Sequence, residues 1–373
     1  MKYDLVFEGG GAKGAVFVGA LQALEKHQHT VGRVVGTSAG AITATFVAAG
    51  YSSQQMLTAV KEKLPDGKPR FSSFMDDPGS FSEDEIANSL SFLLFNSIDV
   101  PRIPDFIERH LDRMIFEVLL QSPIYRHLFS FVEQGGWYAG NKFLEWIREK
   151  LNQIDPGLGD TSLAEFNART GKDLSLVGSD ITDRNMLVLN HRTAPECPII
   201  WAVRMSMSVP FAWQEVIWQP EWGNYLGRDI SGHRIVDGGL LSNFPIAYLV
   251  SNDAEVVAAM GPQPASPKVL GFLIDEGLPV SGSGELPKAA SKLPPQLAQV
   301  DLKEFELVQR ISNLVDTVMS GHDKIIIDAY KDFVVRLPAK SYQTMEFDMS
   351  DARMDALIAA GRATTEAYFA SQS

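Results

Sequence analysis

Apolar positions follow two different periods along the chain, and the changes of period mark its elements. Tyr3 to Phe7 is a short apolar run, followed by Glu8 and the turn Gly9-Gly10-Gly11-Ala12-Lys13-Gly14. Ala15 to Leu24 then carries Val16, Leu21 and Leu24 at helical spacing. Arg33-Val34-Val35 predicts a second strand ending in Gly36-Thr37-Ser38-Ala39-Gly40. Ala41 to Ala49 predicts a small-residue helix that stops at Gly50. Strand, glycine turn and helix, repeated once, predict an α/β protein built on a parallel sheet.

From about Leu64 to Tyr138 the pattern breaks into short segments punctuated by prolines at 65, 69, 78, 101, 104 and 123. Two of these segments, Phe92-Leu93-Leu94-Phe95 and Met114 to Leu120, are conspicuously apolar. They predict a helical insertion after the second strand–helix unit, and two readings stay open: ordinary core helices, or a lid that touches membrane. Strand character returns at Leu174 to Ser179 and Met186 to Leu189, with a helix at Ala202 to Ser208 and a strand end at Ile235-Val236. Gly277 to Pro295 reads as a loop, and Leu302 to Tyr330 has core-type helical spacing. A strand (Phe333 to Leu337) and a helix (Arg353 to Phe369) close the chain. The expected organisation is one α/β domain over residues 1–350, with the insertion at about 64–140, and a C-terminal helix at 351–373 packed on it.

Composition narrows the function more than the fold. A net charge of −13 argues against nucleic acid and against polybasic anchoring to anionic lipid. Any membrane contact should then be transient and apolar, or assisted by a partner. The single cysteine, Cys197, rules out an intrachain disulfide and reads as a small apolar filler. No signal-peptide h-region follows Met1-Lys2, and no window is apolar enough to span a bilayer. A cytoplasmic protein is expected, peripheral at membranes if it meets them; export without an N-terminal signal would leave no mark.

Three glycine motifs carry the candidate chemistry. Gly36-Thr37-Ser38-Ala39-Gly40 fits G-x-S-x-G, in which a serine sits on a sharp strand-to-helix turn that tolerates only small neighbours. The helix that follows directs its dipole at a developing oxyanion. The first loop has the spacing Gly9-x-Gly11-x-x-Gly14 of a dinucleotide fingerprint, but the next strand ends without the acidic residue that would hold a ribose. It is no phosphate loop either, because Gly14 follows Lys13. The better reading is an oxyanion hole, with the amides of Gly10, Gly11 and Ala12 turned into a site. Lys13 could steady that loop, attract an anionic head group, or simply be solvated. Asp237-Gly238-Gly239, at a strand end, becomes a catalytic candidate beside the other two motifs.

Together Glu8 to Gly14, Gly36 to Gly40 and Asp237 to Gly239 resemble the patatin-like phospholipase family in content, order and sheet context. Met205 to Val216, Asn243 and Pro245 add to the likeness, which covers roughly residues 3–50 and 170–250. Glu8 departs from it, since aspartate is common there. The resemblance implies a three-layer α/β/α fold with a central, mostly parallel sheet. It implies a Ser38–Asp237 dyad acting on a lipid or ester substrate through an acyl-enzyme, with the glycine-loop oxyanion hole and no cofactor or metal. Family members are often latent until a ligand or protein partner activates them, and the insertion leaves room for that.

Seven histidines are present and none lies in a motif that connects it to Ser38, although His233, four residues before Asp237, keeps a triad open. Rival functions are an acyltransferase using the same acyl-enzyme, disfavoured by Thr37 where related transacylases have histidine, and a non-catalytic lipid-binding module, which would not need all three motifs.

Overall fold

The computed structural model describes residues 1–96, 115–116, 118–263, 268–282, 317 and 330–372. Its strands among these residues are β1 (Lys2–Phe7), β2 (Thr30–Thr37), β3 (Gly136–Tyr138), β4 (Leu174–Asp180), β5 (Asn185–Leu189), β6 (Phe211–Trp213), β7 (Val216–Ile217), β8 (Arg234–Asp237), β9 (Val269–Asp275) and β10 (Val334–Pro338). Eight of them form one sheet in the order β10-β9-β1-β2-β4-β8-β7, with β5 also paired to β4. The five from β10 to β4 run parallel, and β5, β8 and β7 are joined by antiparallel pairings.

Both faces of this sheet are covered, which is why its parallel strands read as near-continuous apolar runs rather than alternating ones. Leu5, Phe7, Val34 and Leu176 point into the larger core, under the helices Val16–Lys26, Ala39–Ala49, Asn141–Ile154, Ile199–Ser206 and Asp351–Ser371. Val6, Val35 and Val177 point the other way, onto Phe244, Ile246, Leu249 and Met260 around the helices Ala247–Val250 and Ala254–Met260. The last helix packs along Val16–Lys26, and its Phe369 meets the rings of Tyr3, His27 and His29.

The expected parallel α/β architecture is present, with longer elements than the sequence patterns marked. The second strand spans eight residues instead of three, because edge positions such as Thr30 and Gly32 carry little apolar signal. The helix Asn141–Ile154 has no counterpart in the sequence reading, although Phe143, Leu144, Trp146, Ile147 and Leu151 make one buried face of it. The insertion holds the short helices Glu83–Ala87, Leu90–Asn96 and Pro123–Glu133 around a small core of Ile86, Phe92, Phe116, Leu120 and Phe129. Leu90, Leu93, Leu94, Val118 and Val132 remain exposed on it. Parallel pairing of β3 with β6 ties the insertion to the main body. The predicted helix at Leu302 to Tyr330, apart from Thr317 and Tyr330, and the predicted loop beyond Gly282 lie outside the described residues.

Candidate active site

Strand register brings the two main candidates together. Residues 176 and 177 of β4 pair with both β2 and β5, so those two strands lie on opposite edges of β4. Residues 178 to 180 pair with both β5 and β8, so β8 shares the edge of β2. Thr37 of β2 lies opposite Val177, and Asp237 of β8 lies opposite Gly178, the next residue. The parallel strand therefore ends where the antiparallel strand arrives, with Ser38 and Asp237 side by side. Such an edge, where a sheet changes direction at the carboxyl ends of its parallel strands, is a general location for ligand sites.

Ser38 has φ 54° and ψ −122°, a conformation an L-residue holds only where its surroundings impose it, at roughly 1–3 kcal/mol. The surroundings do impose it. A side chain on Gly36 would overlap the Gly40 carbonyl, and one on Gly40 would overlap that of Phe7. The turn is thus pressed against β1, leaving Ser38 at 4% exposure with the helix Ala39–Ala49 starting at the next residue. Its amide donates to Ser206 Oγ at 3.1 Å.

Asp237 is fully buried. Its amide donates to the Ser208 carbonyl at 2.9 Å, and its Oδ1 accepts the Gly239 amide at 2.7 Å. Oδ2 is buried without a hydrogen-bond partner. Burial pushes the carboxyl up to about 7, although the Ser38 hydroxyl beside it and the Gly239 amide both pull it down. A free aspartate, near 3.9, would be a feeble base at neutral pH; this one sits at the pH where a general base works best.

The glycine loop lies over the same strand ends. Gly9 donates to the Asn243 carbonyl at 3.0 Å, and a side chain on it would overlap Asn243 Oδ1 and crowd the Ser38 side chain. Asn243 returns a hydrogen bond to the Gly9 carbonyl at 3.1 Å. Gly11 has φ +55° and faces the carbonyl of Thr344 with no room for a methyl group. A substituent there would strike Thr344. Gly14 packs on Ala39 and Gly238 on Val177. The predicted oxyanion set needs one correction: the Ala12 amide already donates to the Thr344 carbonyl at 2.8 Å, so in this conformation only Gly10 and Gly11 have uncommitted amides. Lys13 is buried and paired with Glu276, which removes the solvated and head-group readings and leaves the steadying one.

A mostly apolar cavity of about 70 Å³ opens beside Ser38, with Ile42, Phe46, Trp146, Met345 and Phe347 among its lining. Several supporting residues carried no sequence signal. Arg204 is fully buried and donates to the carbonyls of Ala139 (2.9 Å) and Gln214 (3.1 Å) and to Ser208 Oγ. Burial lowers its pKa to about 10, against the opposing pull of Asp76, so it stays charged and braces the segment that holds Asp237. His233 binds Asp180 at 2.7 Å at the far end of β8, away from Ser38. Among the described residues, Asp180, Asp183 and His233 form the one grouping of metal-ligand type, and Asp183 is also paired with Arg228. Cys197 is buried and its thiol pushed up by that burial, as expected of a filler.

This layout places the molecule among the α/β proteins that present a serine on a strand-to-helix turn at the end of a mostly parallel sheet. More narrowly, the chain belongs to the patatin-like phospholipase family, whose model matches residues 5–250. Membership implies a lipid hydrolase. The chain is 26% identical to the uncharacterized protein YqhO of Bacillus subtilis (strain 168), over 99% of its own length and 98% of that protein. Among solved structures it is similar to VipD of Legionella pneumophila (TM-score 0.45, 14% identity, 99% of this chain and 67% of that one). It is also similar to ExoU in its heterodimeric complex with SpcU from the type III secretion system of Pseudomonas aeruginosa (TM-score 0.41, 18% identity, 99% and 51%).

Proposed function

We propose that the protein hydrolyses fatty-acyl esters of the phospholipid or lysophospholipid type through an acyl-enzyme on Ser38, with Asp237 as the base. Asp237 takes the hydroxyl proton as Ser38 Oγ attacks the ester carbonyl carbon. The carbonyl electron pair moves onto oxygen, where the amides of Gly10 and Gly11 receive it. Collapse of this intermediate expels the alcohol, which leaves with the proton from Asp237. Water then attacks the acyl-serine, gives its proton to Asp237, and the fatty acid departs as Ser38 recovers it.

The observation that carries this reading is Asp237 itself: a buried carboxyl with one unpartnered oxygen and a pKa of about 7, beside a strained serine. The apolar cavity supports an acyl chain as the group bound, and the exposed leucines of the insertion support contact with a lipid surface. Purified protein is to be assayed on a chromogenic butyrate ester and treated with a fluorophosphonate probe. Hydrolysis and labelling are expected in wild type and neither in Ser38→Ala. Equal hydrolysis by that variant would end the assignment.

A further inference from the structure

The segment between β10 and the last helix lies outside the residues that match the family model, yet it forms part of the site. Residues 339–349 have no regular secondary structure beyond turns, but Ala339, Tyr342, Glu346 and Met349 are buried. One side chain holds the segment. Arg353 Nε donates to Glu346 Oε1 at 2.7 Å, and Nη2 donates to Glu346 Oε2 at 3.1 Å and to the Ser341 carbonyl at 2.8 Å. The same guanidinium lies 4.2 Å from the centre of the Tyr342 ring, whose hydroxyl donates to the Arg353 carbonyl at 2.9 Å.

A buried ion pair is a weak source of stability, and its best-attested use is to select one arrangement among several. Here the arrangement has two consequences. The Thr344 carbonyl receives the Ala12 amide and abuts Gly11, so the strap is sewn to the glycine loop. Met345 and Phe347, on either side of the clamped Glu346, then stand in the cavity wall, and the Phe347 ring meets Trp213 edge-on at 5.8 Å.

We propose that the strap from Tyr342 to Phe347 sets the acyl-chain length the site accepts, with Phe347 as the wall that ends the chain and the Arg353–Glu346 pair holding that wall in place. This rests on the proposed function, since it names what limits the substrate of that same site. A phenyl group removed from the wall makes room for further methylenes, and each methylene buried is worth about fourfold in binding, the equivalent of about 0.8 kcal/mol. A larger ring should take that room away.

The test compares wild type, Phe347→Ala and Phe347→Trp by two readouts. The first is kcat/KM on p-nitrophenyl esters from butyrate to palmitate. The second is displacement of a fluorescent fatty acid by saturated fatty acids of the same lengths. Phe347→Ala is expected to raise the palmitate-to-butyrate ratio roughly tenfold, and Phe347→Trp to lower it by a similar factor, with displacement constants moving the same way. Ratios unchanged in both variants while the esters are still hydrolysed would overturn the proposal and leave the proposed function intact. If no ester is hydrolysed but displacement still shifts in opposite directions, the proposed function falls and the length-setting role of the strap stands. Should one variant fail to fold, the other still decides by the direction of its shift.

Discussion

Asp237 and Glu346 are both carboxylates withdrawn from solvent near one apolar cavity, and their surroundings differ in kind. Glu346 meets a cation held in a fork of hydrogen bonds. Asp237 accepts one backbone amide and lies beside the Ser38 hydroxyl, with Oδ2 making no hydrogen bond. The first arrangement holds a loop still. The second leaves a carboxylate oxygen without a hydrogen bond and raises the carboxyl to about 7, and in a folded protein such dissatisfaction persists only where the surrounding structure imposes it. Opposite effects on stability and turnover should follow from removing the two groups.

The largest effect is expected in turnover. Asp237→Asn keeps the shape and removes the proposed base, so kcat on a butyrate ester should fall by roughly 10²–10⁴. Glu346→Ala should act first on stability, because the buried guanidinium of Arg353 loses the carboxylate that balances its charge; a loss of about 3–5 kcal/mol by urea unfolding is expected. Gly11→Ala probes the point where the two regions touch. The new methyl must displace Thr344 and the loop with it, so turnover should drop by about 10²–10³ as the proposed oxyanion donor turns away.

A smaller effect has the opposite sign for stability. Folded Asp237 keeps its proton up to about pH 7, whereas an unfolded aspartate loses it near pH 3.9. The folded chain therefore binds more protons in that window, and its stability falls as pH rises through it. Asp237→Asn cannot ionise, so from pH 5 to pH 8 it should gain roughly 2–4 kcal/mol relative to wild type in urea unfolding. An unchanged difference between the two pH values would mean that the carboxyl is not held uncharged by burial. Smallest of all, His233→Ala should leave turnover within about threefold, since its partner is Asp180.

What was legible in the sequence follows how local each requirement is. A G-x-S-x-G turn is a matter of five neighbouring residues, so Gly36 to Gly40 announced a sharp turn that tolerates only small neighbours, while its close approach to β1 is visible only in the fold. Asp237 could be named from its motif. Its basicity could not, because a pKa of about 7 comes from tertiary burial. The arrival of β8 on the same edge of β4 as β2 was equally hidden, as a register between distant strands. Ser206, Ser208 and Arg204 act through hydrogen bonds to Ser38, Asp237 and Ala139, partners that lie far off in sequence. The strap shows the limit most clearly. Ala12 was read as an oxyanion donor because nothing in its neighbourhood says that a carbonyl more than three hundred residues away will take its amide. The helix Asn141–Ile154 is a different case, since its apolar face was present in the spacing and could have been found by periodicity alone.

The most direct test of a base of pKa about 7 serving Ser38 is the pH dependence of covalent labelling. Wild type, Ser38→Ala and Asp237→Asn are to be exposed to a fluorophosphonate between pH 5 and pH 9, with the adduct located by peptide mass mapping. One adduct is expected, on the peptide containing Ser38, with a rate that rises through a midpoint of about 7. The adduct should be absent in Ser38→Ala, and in Asp237→Asn its rate should be low and without that midpoint. An adduct on another serine, or the same pH-dependent rate in Asp237→Asn as in wild type, would contradict the account.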